Sequence, residues 1–140
     1  MENRLKALEN KCITVFAKFK EARIEKKHGN MIEFNEIREL NSGELIVDHL
    51  WLDTRYFDLN LIEQLKPEDI VVFSGIVGSY TRDREFCFEK DYTLVCIKYK
   101  DAIVKIEDNG KYNLLSDMNS NIRVETYTNI NDAINKIVTR

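Results

Sequence analysis

The chain has 140 residues, 44% apolar and 32% charged, with a formal net charge of −3. This is ordinary globular composition for about one domain, and it excludes a disordered or fibrous chain. No apolar run reaches the roughly 18 to 20 residues of a membrane-spanning helix, so a transmembrane helix and a membrane partner are not expected.

The N-terminus, Met1-Glu2-Asn3-Arg4-Leu5, has neither an apolar h-region nor a small-residue cleavage site, so no secretory signal is expected. Glu2 to Glu9, with Leu5 and Leu8, reads as a short helix. From Cys12 to Lys20 the period changes to two: Ile13, Val15, Ala17 and Phe19 alternate with Thr14, Phe16, Lys18 and Lys20, the pattern of a strand with one core face. Glu25 to Asn30 is polar and ends in Gly-Asn, the signature of a hairpin loop. A second strand follows over Met31–Arg38, a turn at Asn41-Ser42-Gly43, and a third strand over Glu44–Leu52. Asp58 can cap a short helix carrying Leu61, Ile62 and Leu65, and Pro67 stops it. The fourth strand, Asp69–Tyr80, is rich in β-branched residues. Thr81 to Asp91 reads as a long loop, and Tyr92–Tyr99 as a fifth strand that continues, after a bulge, through Ala102–Ile106. The tail offers a strand at Ile122–Tyr127 and a helix from Asn131 to Val138, with Ala133, Ile134 and Ile137 on one side. One proline and five glycines leave little linker material, so residues 1–140 read as a single domain: a body over 11–106 and a C-terminal appendage over 107–140.

Three antiparallel strands, a helix and two more strands is the order of the OB-fold, a five-stranded Greek-key barrel. The expected fold is therefore mainly β, OB-like, with a strand-and-helix appendage. The runs Asp48-His49-Leu50-Trp51-Leu52 and Leu65-Lys66-Pro67-Glu68-Asp69-Ile70-Val71-Val72-Phe73 resemble those of small OB-fold proteins of unknown function from phages and mobile elements of low-GC bacteria. The second run is also similar to the Lys-Pro-Gly-Asp entry into the fourth strand of many OB domains, with Glu68 where that pattern has glycine. The resemblance covers roughly residues 11–106 and supports the OB-like fold; it does not supply an activity.

Charge is unevenly spread. Residues 11–40 carry seven Lys/Arg against five Glu, whereas residues 41–70 carry two against seven acids. OB barrels bind single-stranded nucleic acid, oligosaccharide or protein across strands two and three, between the loops joining strands one–two and four–five. Cations to follow phosphates and rings on which bases stack are the chemical requirement. Phe16, Lys18, Lys20, Arg23, Lys26 and Lys27 supply these from the first strand and its loop. Tyr80, Arg82, Arg84 and Phe86 supply them from the fourth–fifth loop, offset by Asp83 and Glu85. The same residues also read as a solvated surface with a small aromatic lid. His49 and Trp51 share a side of the third strand, either as a stacking and hydrogen-bonding pair or as a core Trp beside a satisfied His.

Nothing in the chain points to catalysis or to a cofactor. Two distant histidines and isolated cysteines do not make a metal site. Cys87 has Arg84 and Lys90 nearby but no local histidine as base, and no phosphate-binding glycine loop is present. The odd count of three cysteines without C-x-x-C spacing reads as free thiols in a reducing cytoplasm. Two functions are carried forward: a single-stranded nucleic-acid module, and a protein-interaction module such as a phage-encoded inhibitor of a host defence nuclease, whose acidic residues from Asp48 to Asp69 would imitate phosphate.

The fourth strand also predicts packing. With Val71, Phe73, Gly75 and Val77 inward, Ile70, Val72, Ser74 and Ile76 face out. With Leu94 and Cys96 inward on the fifth strand, Val95, Ile97 and Tyr99 face out. Strands apolar on both faces need a cover, and Ile122, Val124, Ile134 and Ile137 of the tail can provide it, with a homodimer through any remainder.

Overall fold

The computed structural model describes residues 4–25, 29–84, 87–117 and 120–139. After a 3-10 turn at Arg4–Leu8 come β1 (Cys12–Glu25), β2 (Gly29–Glu39) and β3 (Leu45–Asp53). A 3-10 turn at Thr54–Tyr56 leads into α1 (Leu59–Gln64), β4 (Ile70–Arg84) and β5 (Cys87–Tyr99). The chain ends in β6 (Ala102–Ile106), β7 (Tyr112–Ser116), β8 (Arg123–Tyr127) and α2 (Ile130–Val138). The eight strands form one antiparallel sheet in the order β3-β2-β1-β4-β6-β7-β8, with β5 also paired to β4. The mainly β expectation holds. The sheet does not close, however: among the described residues β3 and β5 do not pair, and three further strands extend it.

Local chemistry accounts for the joints. Gly43, at φ 71°, turns β2 into β3, while Glu39 accepts from the Ser42 amide at 2.6 Å. Asp58 caps α1 as expected, its Oδ1 accepting from the Asn60 amide at 2.8 Å. In the turn before β4, Glu68 has φ 79°, a left-handed conformation that explains why glycine suits this place. The Asp69 carboxylate then ties the turn by accepting from the Lys66 amide at 2.8 Å.

The main core lies inside the curled part of the sheet. Val15, Ala17, Phe19, Ile32, Phe34, Leu50, Leu52, Leu61, Val71 and Phe73 are buried together, with the rings of Phe34, Phe57 and Phe73 packed 5.1 to 5.8 Å apart. A second cluster covers the other face of β4. There Ile70 and Val72 are buried with Ala102, Val104, Leu114, Ala133, Ile134 and Ile137. The tail is thus the cover that the doubly apolar fourth strand requires, through α2, β6 and β7. Each large apolar side chain buried there contributes about 1.5–3 kcal/mol.

Four expectations are corrected. Residues 81–84 and 87–91 belong to strands rather than to an open loop, because Thr81 pairs with Lys90 and Arg84 with Cys87, so β4 and β5 extend toward each other as a long antiparallel pair. The many charged residues in this segment read as loop in the sequence. Ala102–Ile106 is a separate strand, not a continuation of β5; it returns beside Ile70 and pairs with β7, itself unforeseen. On β5 the inward set changes midway. Ser74 pairs with Lys98 and Ile76 with Val95, which sets Cys96 and Ile97 against Gly75 as a bulge, with Cys96 at φ 54°. Ile97 therefore turns into the core and Tyr99 packs against it, while Cys96 is exposed. Finally, Ile122 and Val124 remain 42% and 59% exposed and cover nothing. The remainder of the outer face, Ile76 and Val95, is also exposed. Among the described residues no helix is long and apolar enough to cross a membrane.

Candidate ligand cleft

Where β3 and β5 fail to meet, a cleft of 640 Å³ opens between the middle of β3 and the start of the β4–β5 hairpin. Its walls are Val47, Asp48, His49, Leu50 and Trp51 on one side, with Met31 of β2 beside them. Tyr80, Asp91, Tyr92 and Thr93 form the other wall. A second hollow of 460 Å³ at the β6–β7 turn has polar walls only, including Glu107, Asp108 and Asn109. The β3–β5 cleft combines rings, aliphatic surface and a few polar groups, which is the usual makeup of a ligand site.

The strands place these side chains by alternation. Leu50 and Leu52 point into the core and are buried, so His49 and Trp51 stand on the outer face. Trp51 is half-buried there, with the Arg23 guanidinium 4.7 Å from its ring centroid, and His49 is exposed. The reading of Trp51 as a core residue is thereby corrected: flanked along β3 by the buried Leu50 and Leu52, Trp51 is half-buried and lies outside both apolar clusters. Across the cleft Tyr80 is 45% exposed and donates its hydroxyl to Asp91 Oδ2 at 3.1 Å, while Asp91 Oδ1 accepts from the Tyr92 amide at 2.9 Å.

The residues expected at a joint nucleic-acid site divide into separate places. Phe16 packs against the second cluster beneath the tail, so it is no open stacking ring. Lys18 pairs with Glu36 at 2.8 Å and Glu68 at 3.6 Å, and the hydrogen bond to Glu36 is the chief reason that its amine is held above its usual value. Lys20 lies 3.6 Å from Glu33, and Arg23 donates to Glu21 at 2.9 and 2.6 Å. None of Phe16, Lys18 or Lys20 lines the cleft. Arg23 stacks on the wall residue Trp51 without itself lining the cleft, and Tyr80 forms part of the wall. Arg82 and Arg84 lie on β4 opposite Glu89 and Cys87, but nothing is described of their side chains. Lys26, Lys27 and Phe86 lie outside the described residues.

Met31, Val47, Asp48, Asp91 and Tyr92 were not foreseen as lining residues. The one available signal was on β3, where two adjacent polar residues, Asp48 and His49, interrupt an apolar strand. Among the described residues no group of three or more His, Cys, Asp or Glu is arranged to hold a metal ion. No protein-family model, curated protein or solved structure matches the chain.

Proposed function

We propose that the protein is a non-enzymatic binding module, built on an open OB-like arrangement of β1 to β5, whose ligand is a polypeptide held in the β3–β5 cleft. Support for the OB assignment comes from the strand order β3-β2-β1-β4-β5 and from the helix between β3 and β4. The OB-fold is itself a partly open barrel, and its usual ligand surface borders this seam.

The observation that carries the choice of ligand is the charge at the cleft. Its charged walls among the described residues are the carboxylates of Asp48 and Asp91. The cations of β1 that could follow a phosphate chain, Lys18, Lys20 and Arg23, are each engaged by a glutamate. Phosphates brought here would meet like charge and would have to displace those partners, whereas nucleic-acid affinity comes mainly from neutralising phosphate. A polypeptide faces no such penalty and gains from the rings and aliphatic wall.

Single-stranded nucleic acid is the second reading, favoured by one observation: Trp51 and Tyr80 both present ring surface on the two sides of the same cleft. A phage or mobile-element setting rests on the sequence resemblance alone.

Trp51 is the sole tryptophan, so its emission reports on this cleft directly. Peptides selected from a random library should shift that emission saturably, and oligothymidine at low salt should not. Saturable, salt-sensitive oligothymidine binding that moves Trp51 emission, with no peptide doing so, would overturn the reading.

A further inference from the structure

We infer that the seam accepts one extended strand bearing basic side chains, which adds to the outer edge of β3 in the antiparallel sense. The inference rests on the polypeptide reading and specifies its ligand.

Three observations lead to it. First, β3 is the terminal strand of the sheet and β5 pairs with β4 alone, so among the described residues two strand edges border the cleft. An unpaired edge presents backbone donors and acceptors, the feature that strand-adding partners use. Second, the direction is set by the ladder. Because β1 pairs antiparallel with both β2 and β4, and these pair antiparallel with β3 and β5, the strands β1, β3 and β5 run the same way. A single incoming strand can therefore be antiparallel to both edges at once, the more stable pairing per residue.

Third, charge selects the occupant. Asp48 has the parity of the buried residues Leu50 and Leu52, yet it is exposed. Alternation assigns its carboxylate to the inner side of the strand at the place where the seam is open. An inward charge on an edge strand repels uncharged edges, and it would oppose a second copy of this same edge. A strand that brings Lys or Arg to that position relieves the cost. Asp91 on the opposite wall adds a second carboxylate. Trp51 and Tyr80 then offer ring faces to the stems and heads of the incoming cations.

The probe is a synthetic eight-residue peptide alternating lysine with valine or threonine, read by Trp51 emission and by amide exchange along β3. Binding should protect β3 amides. It should weaken at least about tenfold when alternate peptide amides are N-methylated, because several backbone hydrogen bonds are lost. Asp48→Asn and Asp91→Asn should each weaken it about two- to fivefold, the range of a partly exposed ion pair. Equal binding by the N-methylated peptide, or by a peptide with serine in place of lysine, would overturn the inference. If selected peptides of another kind shift Trp51 while these fail, the inference is wrong and the polypeptide reading stands. If only oligothymidine binds, both are wrong.

Discussion

Lys105→Met removes a cation that joins the appendage to the body of the sheet. From β6, the Lys105 amine donates to the Asp69 carboxylate at the start of β4 and, at 2.9 Å, to the Gln64 carbonyl at the end of α1. The Asp69 side chain is only 8% exposed and that of Lys105 21%, so water cannot replace the lost partner well. Removing one member of a buried pair typically costs about 3–5 kcal/mol, because the other charge is left uncompensated. The Lys66 amide still donates to Asp69, which places the expected loss near the lower end, about 3 kcal/mol. For a chain of this size that lowers the melting temperature by roughly 10 °C. With a urea slope of about 2 kcal/mol per molar, it moves the midpoint down by about 1.5 M. The assay is urea unfolding of the wild type, Lys105→Met, Asp69→Asn and the double variant. Asp69→Asn should itself destabilise, and the double variant should lose about 1–2 kcal/mol less than the sum of the singles. A Lys105→Met loss below about 1 kcal/mol, or strict additivity, would refute the claim that this buried pair holds the two parts together.

Ile137→Ala should cost about 2–5 kcal/mol, since Ile137 is fully buried in the second cluster; thermal unfolding measures it, and the uncovered face should make the variant associate at high concentration in light scattering. Gly75→Ala should destabilise by about 1–3 kcal/mol, because a Cβ there would lie 3.1 Å from Leu94 Cβ and 3.3 Å from the Val95 carbonyl; an unchanged denaturation midpoint would contradict the bulge geometry. Glu36 is held below the usual carboxylate value of 4.5, chiefly by the hydrogen bond from Lys18. Its folded pKa is depressed, so the stability it contributes is present above about pH 4.5 and is lost as pH falls through the folded value. Lys18→Met should flatten the acid limb of a stability–pH curve in that window and, because the Lys18 amine is itself held above its usual value of 10.5, should also remove part of the stability lost on the alkaline limb.

Much of the strand pattern was legible because it follows from short-range chemistry. The period-two run from Ile13 to Phe19, the Asn41-Ser42-Gly43 turn, the Asp58 cap and the Pro67 stop each depend on neighbours within a few residues. The need for a cover over Ile70 and Val72 was legible too, since apolar side chains on both faces of a strand cannot all be left in water. What the tertiary structure decided was set by pairing between distant segments. The paired segments 81–84 and 87–91 are held by backbone ladder bonds between them, which no short-range sequence pattern announces. A one-residue bulge opposite Gly75 reverses which side chains of β5 face inward, and no local preference for Cys96 to adopt a left-handed backbone announces it. The same holds for the cleft. Phe16, Lys18 and Arg23 sit on one strand, yet packing beneath the tail, Glu36 of β2 and the Trp51 ring from β3 give them three different environments. The sequence alone determined the residue types and their alternation; only the curl of the open sheet decided that β3 and β5 would stand apart with two carboxylates and the rings of Trp51 and Tyr80 between them.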